Sequence, residues 1–383
     1  MLLGLVIHAA DVYMLKPWRV HDAAGSVAFD WINGLIHSFR MEAFFWVAGY
    51  FAAIGLARMN ATGYLLHRAH RLLLPAVATL FTFNLIEISV LAWWPTPGAR
   101  PLFVELIPEW IGHLWFIVDL CWLCVFAAIC LRPRGMWSRA LAGALKNINT
   151  PLALIAVMAL LTTLPAVVPA WMARLGVGLP LLGIEGLRLT GLFEPARLLA
   201  YAPYFILGMA VQRLGHVARL FESIHWGWFV PSVVFSAWLW IHGSEDTSWT
   251  LTLLAHGLLT VVAVGAVMSM FTALFKSGGG LVAWLADASY PIYLAHQCFI
   301  IILATMLCAM DLSAALKFAM VVSGAAILTA GFYAVLLRHA GLHRIFTGRA
   351  LKRAGLSLPP AVSGRVASVS RTDLRTASSP TWA

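Results

Sequence analysis

From residue 37 to residue 337 the chain repeats one pattern: an apolar run close to 20 residues long, then a short stretch that collects the charges. A run of about 20 apolar residues is the length of helix that crosses the hydrocarbon core of a bilayer. Backbone polar groups in hydrocarbon must be paired within the structure, so such runs form helices. The runs lie at 37–57, 72–94, 113–131, 151–171, 196–212, 225–242, 249–275, 289–309 and 313–337. A weaker one occupies about 1–15. It supplies at most 15 residues before the polar connection, and His8 and Asp11 interrupt it. The expectation is an all-α integral membrane protein, a polytopic bundle of about ten transmembrane helices with the first one short. That first helix is either a half-span or the visible part of a span whose start lies upstream.

Composition supports lipid as the solvent. Hydrophobic residues make up 61% of the 383 residues and charged residues 11%, against about 25% charged in soluble domains. A soluble globular enzyme, a disordered chain and a disulfide-stapled secreted domain are excluded. All five cysteines lie inside apolar runs, and the Cys121-x-x-Cys124 pair has no companion pair; they read as buried small hydrophobes. No cleavable signal peptide is visible at the start.

Basic residues set the expected orientation. Connections after even-numbered spans, with the C-terminal segment, hold 18 of the 26 Lys and Arg, and the odd-numbered connections hold most of the acidic residues. The even connections and the C-terminus are therefore expected in the cytoplasm. The organisation expected is a membrane domain over 1–340 and a basic, disordered cytoplasmic tail over 341–383. The net charge of +10 then reflects topology and a tail near anionic lipid. Nucleic acid is not an expected partner; the bilayer is. The oligomeric state is not readable.

Ionisable groups inside spans are costly and point to function by default. His8 is either a packed histidine or a proton-transfer group, the task imidazole suits near neutral pH. His37 and Arg40 are three residues apart at the start of the second span and share a face. Arg40 either snorkels to the interface or faces developing negative charge. Arg68 and Arg71 either anchor the third span by the positive-inside rule or clamp phosphate. Glu87 and Asp119 are neutral, or paired with a cation such as Arg40, or a proton relay. His113 opens the fourth span. Ser289 and Pro291 suit the first turn of the ninth span, from which Tyr290, Tyr293 and His296 form a polar stripe; belt packing explains the tyrosines equally well. No nucleotide loop, nucleophile elbow or metal-ligand spacing is present.

Several stretches together resemble the membrane acyltransferase-3 family. They are Met1-Leu2-Leu3-Gly4 through His8; Ile36-His37-Ser38-Phe39-Arg40-Met41 running into Phe44-Phe45-Trp46-Val47-Ala48-Gly49-Tyr50-Phe51; Arg68-x-x-Arg71-Leu72-Leu73-Leu74-Pro75; His113-Leu114-Trp115-Phe116; and Ala288-Ser289-Tyr290-Pro291-Ile292-Tyr293-Leu294-Ala295-His296-Gln297. They run from residue 1 to about 300. The chain departs from the family in lacking the Arg and Asp usually found about ten residues before the histidine. The resemblance implies a multi-pass protein of the bacterial inner membrane. It implies transfer of an acyl group, succinyl first and acetyl as the alternative, from cytoplasmic acyl-CoA to sugar hydroxyls of a periplasmic glucan or other envelope polysaccharide. It places the important intramembrane histidine on His8 and the arginine pair on Arg68 and Arg71. His8 would be the base, or less simply a covalent acyl carrier. Arg40, with His37, would stabilise the oxyanion or hold a substrate carboxylate, and acyl-CoA would be a passing donor rather than a resident cofactor. The competing expectation is a secondary transporter of a polar metabolite or sugar, in which Glu87 and Asp119 would couple to protons.

Overall fold

The structure, a computed structural model, describes residues 2–99, 110–133, 135–174, 191–242, 249–274 and 279–349. These residues belong to one compact unit, and every regular element among them is helical. The short α1 (Leu3–Asp11) is followed by a long loop. Next, α2 (Val27–His37) and α3 (Arg40–Arg58) form one run broken at Ser38 and Phe39. A second run contains α4 (Ala61–Arg68), a π-helical turn (Ala69–Leu73), α5 (Leu74–Leu80) and α6 (Phe83–Trp93). Then come α7 (Trp115–Cys130), the amphipathic α8 (Met136–Lys146), α9 (Pro151–Arg174), α10 (Pro195–Arg213) and α11 (Gly215–Glu222). The last elements are α12 (Phe229–His242), α13 (Trp249–Leu274), α14 (Gly280–Cys308), α15 (Ala314–Arg338) and α16 (Ala340–Thr347).

Six helical stretches among the described residues are long and apolar enough to cross a membrane: Val27–Arg58, Ala61–Trp93, Gly112–Cys130, Thr250–Phe271, Gly280–Cys308 and Ala314–Arg338. Gly215–Glu222 with Trp226–His242, bent by 58°, makes a seventh if the pair is one span. The sequence reading expects about ten. The expected span at 151–171 is the helix α9, whose apolar part is the shorter Pro151–Pro165. The one at 196–212 is α10, which carries Arg197 and Arg213 and buries Tyr204, Phe205, Leu207 and Met209 in the interior. The first is nine residues long.

Two boundaries differ from expectation for local reasons. The second expected span starts ten residues earlier, at Val27, because 27–37 is itself a helix joined to α3 through the short break. The ninth starts at Gly280, so Ser289 and Pro291 sit mid-helix rather than in a first turn. Residues 281–288 include Leu281, Ala283, Leu285, Ala286 and Ala288, which favour helix, and the cost of Pro291 inside the helix is offset by the buried packing of Ile292, Leu294 and Ala295. Ala340–Thr347 is helical at the start of the segment expected as tail, while residues 350–383 lie outside the described residues.

Proline also accounts for the π-turn. Pro75 has no N–H to offer the carbonyl of residue 71, and its ring crowds that carbonyl. The helix widens just ahead of it, and the Leu74 N–H bonds to the Ala69 carbonyl five residues back. Single π-turns recur at functional sites, and this one holds Arg71 directly after Arg68. Gly348, in a left-handed conformation at φ +62, ends α16 with its Cα against the His70 carbonyl, where any side chain would collide. Tyr290 of α14 reaches the same turn and donates to the Leu72 carbonyl (3.3 Å).

The tightest helix pair is α3 with α10. The Gly49 Cα lies against the Phe205 carbonyl and the Gly208 Cα against the Trp46 carbonyl, so a Cβ at either glycine would overlap backbone. Small residues let helices approach to backbone contact, the packing available where lipid removes the hydrophobic drive. Gly208→Val should destabilise the protein by about 1–3 kcal/mol or more, read as a lower melting temperature in detergent. Gly143→Ala, on the open face of α8 where a Cβ meets nothing within 4 Å, should not.

Candidate active site

The C-terminal turn of α1 presents a short relay. His8 and Asp11 are three residues apart on one helix face, and His8 Nδ1 lies 2.9 Å from Asp11 Oδ2. Asn33 of α2 donates from Nδ2 to Asp11 Oδ1 (2.5 Å). A carboxylate accepts only, so Nδ1 carries the imidazole proton and Nε2 keeps its lone pair. Trp18, from the loop after α1, stacks on the His8 ring (centroids 6.0 Å apart, planes at 13°).

His8 faces a cavity of about 1000 Å³ formed by the α1–α2 loop, α2, the start of α3, the turn before α7, the start of α10 and the end of α12. His37 and Arg40 line it too. The break at Ser38 and Phe39, closed by a Ser38 hydroxyl bond to the Leu35 carbonyl, does not separate them. Arg40 Nε is buried without a hydrogen-bond partner, and among the described residues no carboxylate pairs with its guanidinium. The His37 ring packs on Trp240 (5.2 Å). A second space of about 30 Å³ shares His8, Arg40, Met41 and Trp115 with the large cavity and continues between Phe44, Phe116 and Tyr293.

The two intramembrane carboxylates have partners other than Arg40. Glu87 accepts from Arg19 Nη1 (2.5 Å) and from Gln297 (2.8 Å). Asp119 takes a bidentate pair from Arg197 (2.5 and 3.0 Å), whose guanidinium also lies 4.6 Å from the Trp115 ring centre. Arg19 and Arg197 both line the large cavity. Of the alternatives open for these two carboxylates, pairing with a cation is the one the structure shows, with Arg19 and Arg197 in place of Arg40, and the two pairs shape the cavity wall.

Behind His8 lies the polar stripe of α14. His296 is 5.3 Å from the His8 ring and 5.1 Å from His113. His113 and Tyr293 clasp each other: the imidazole bonds the Tyr293 carbonyl (3.1 Å), and the Tyr293 hydroxyl donates to the His113 carbonyl (2.6 Å). Gly4 of α1 faces His296, where a Cβ would come within 2.8 Å of Nε2. Tyr290, Tyr293 and His296 thus run along α14 from the π-turn to His8. Arg68 and Arg71 line neither cavity. They lie at the end of α4 and in the π-turn, which follow the C-terminal end of α3, whereas Arg40 starts α3. Arg68 lies 5.2 Å from the Tyr64 ring centre. His256 bonds Ser236 (2.7 Å) and lies 6.3 Å from the ring of Trp240, behind the cavity wall.

Sequence reasoning missed Asp11, Arg19, Asn33 and Arg197 as site residues. His8 and Asp11 at a three-residue helical spacing was the signal available. The arginines meet carboxylates 68 and 78 residues away, and nothing local announces such pairs.

The family model described as an acyltransferase domain matches residues 1–337. The chain belongs to the acyltransferase-3 family. Relatives include proteins named glucans biosynthesis protein C. The one from Escherichia coli O157:H7 is 25% identical over 311 residues, 78% of each chain. The one from Salmonella typhimurium is 32% identical over 127 residues, 31% of this chain, so this match spans about a third of that relative's length (33%). No solved structure matches the chain. In this acyltransferase-3 protein His8, on which the resemblance places the family histidine, lines the large cavity, while Arg68 ends α4 and Arg71 lies in the π-turn after it.

The loop that carries Trp18 and Arg19 is tied down by a buried pair, Lys317 Nζ to Asp22 Oδ2 (2.8 Å), with both side chains 4% exposed or less. Removing one partner leaves an uncompensated buried charge. Lys317→Met should cost about 3–5 kcal/mol, while Lys317→Met with Asp22→Asn should recover most of it. Melting temperatures in detergent check both.

Proposed function

We propose that this chain is a multi-pass O-acyltransferase of the bacterial inner membrane, moving an acyl group from cytoplasmic acyl-CoA to a sugar hydroxyl of a periplasmic glucan or other envelope polysaccharide. Succinyl is the first assignment and acetyl the alternative. The observation that carries the reading is the His8–Asp11–Asn33 relay opening, beside an unpaired Arg40, into a cavity large enough for sugar.

The chemistry follows from that geometry. His8 Nε2 takes the proton of the acceptor hydroxyl as its oxygen attacks the thioester carbonyl. Asp11 holds the ring in the competent tautomer and offsets the imidazolium charge that forms. Arg40, already desolvated and without a counter-ion, stabilises the oxyanion of the tetrahedral intermediate. The intermediate collapses, the carbon–sulfur bond breaks, and the proton on His8 passes to the departing thiolate. The products are an ester and CoA thiol, and His8 returns to its starting state. Trp18, Trp115 and Trp240 around the cavity offer apolar faces for a sugar ring, and His37 adds a second polar group beside Arg40.

Sidedness rests on the basic connections. They put the Arg68–Arg71 turn in the cytoplasm, where CoA is made, and the large cavity toward the periplasm. The paired guanidiniums then hold CoA phosphates. The donor's pantetheine arm follows the Tyr290–Tyr293–His296 stripe to the small space beside His8, a course lined by protein rather than lipid.

In membranes supplied with acyl-CoA and periplasmic glucan, His8→Ala should lower ester formation by about 10²–10⁴-fold. Arg40→Ala should lower it by about 10²–10³-fold. Asp11→Asn should lower kcat with little change in KM for the glucan. Near-normal transfer by either alanine variant at normal protein levels would sink the assignment. Arg68→Ala with Arg71→Ala should chiefly raise KM for acyl-CoA. The mass of the ester on the recovered glucan identifies the acyl group.

A further inference from the structure

The face of the molecule away from the relay carries a second built feature. Between α7, α8, α9 and α10 lies a groove of about 760 Å³, a volume usual for a ligand site. It follows α10 from Pro195 to Ala210, about 22 Å of helical rise, and its walls are hydrocarbon: Phe126, Leu154, Met158, Leu161, Leu199 and Ile206 are among them. At the Ala210 end it meets a small cavity of about 40 Å³, with which it shares Leu141 and Ala210. Arg213 and Ser138 line that cavity.

Arg213 is half satisfied. Its Nη1 donates to the Leu131 carbonyl (2.9 Å) and lies 3.3 Å from the Ser138 hydroxyl, tying α10 to the end of α7 and to α8. Its Nη2 is buried with no partner. A buried guanidinium N–H without an acceptor requires an explanation, and a cavity of about 40 Å³ has room for two or three water-sized groups. The surroundings select an anion. Arg132, Arg139, Lys146 and Arg219 stand exposed at this same end, with Glu222 the one acidic residue in the described parts of 131–150 and 205–224.

We propose that this groove is a binding site for one anionic phospholipid, with an acyl chain along α10 and the headgroup phosphate accepting from Arg213 Nη2. The apolar wall and the basic end are continuous, and that is the two-part chemistry of such a lipid. Guanidinium and phosphate form strong charge-assisted bonds, and basic residues at a membrane surface attract anionic headgroups. The α8 helix fits this arrangement. Its Leu141 and Leu145 cover the groove, while Arg139 and Lys146 face out, the pattern of an interfacial helix. The site is separate from the relay at the other end of α10, and the inference does not depend on which acyl group is transferred.

The test is thermal melting of the purified full-length protein in detergent. It compares added phosphatidylglycerol, phosphatidylcholine of the same acyl chains, and inorganic phosphate. Phosphatidylglycerol should raise the melting temperature about 3–5 °C more than phosphatidylcholine, and inorganic phosphate should not reproduce the rise. Arg213→Gln should abolish the difference, and Arg338→Gln, exposed at the end of α15 away from the groove, should retain it. Ala142→Leu, which fills the small cavity and leaves both Arg213 bonds, should also abolish it and decides the matter if Arg213→Gln does not fold. Equal stabilisation by the two lipids, or a full response to inorganic phosphate, would overturn the proposal. So would a preference that survives Ala142→Leu or disappears in Arg338→Gln.

Discussion

A carboxylate taken out of water must find a cation or hydrogen-bond donors, because leaving it alone costs several kcal/mol. That requirement organises the polar half of this bundle. Asp22 is met by Lys317, Glu87 by Arg19 and Gln297, and Asp119 by Arg197. Each pair joins segments far apart in sequence, so the pairs brace the helices as well as satisfying the charges. Two of them also position the loop after α1, which lays Trp18 over His8.

With those carboxylates occupied, Arg40 is left facing a cavity without a counter-ion, and His8 is left with Asp11. The division matters chemically. A guanidinium already neutralised by a carboxylate has little to offer an incoming negative charge, whereas one held desolvated and open has a great deal. The same logic applies to the imidazole, whose Nδ1 bond to Asp11 leaves Nε2 as the basic position. The scaffold thus separates the paired arginines of the wall, Arg19 and Arg197, from Arg40, which faces the chamber.

Much of the fold was legible along the chain. The apolar runs became helical, because length and hydropathy speak directly to the bilayer, but six stretches among the described residues, not about ten, are long and apolar enough to span it, and the run at 72–94 is broken into a π-turn, α5 and α6. Ser289 and Pro291 resemble a helix beginning, yet α14 starts nine residues before Ser289, at Gly280, because buried packing beyond the proline carries the helix through. The candidate cavity was legible at His8, His37 and Arg40, which line it together, because an ionisable residue in an apolar run advertises its cost. It was illegible at Arg19 and Arg197, which sit in polar connections where arginine is unremarkable, and at Asp11, which reads as the polar end of a short helix.

The sequence alone determined the solvent, the helical class, the family motifs and the identity of the costly residues. These depend on composition and on spacing within single helices, and both are local quantities. Only the tertiary structure decided which cation met which carboxylate, that His8 is backed by Asp11 and Asn33 while Arg40 stays open, and that α3 and α10 touch backbone to backbone at Gly49 and Gly208. Those outcomes are set by packing between helices, where one glycine or one side-chain length away in another segment decides who reaches whom. No periodicity along the chain encodes that distance.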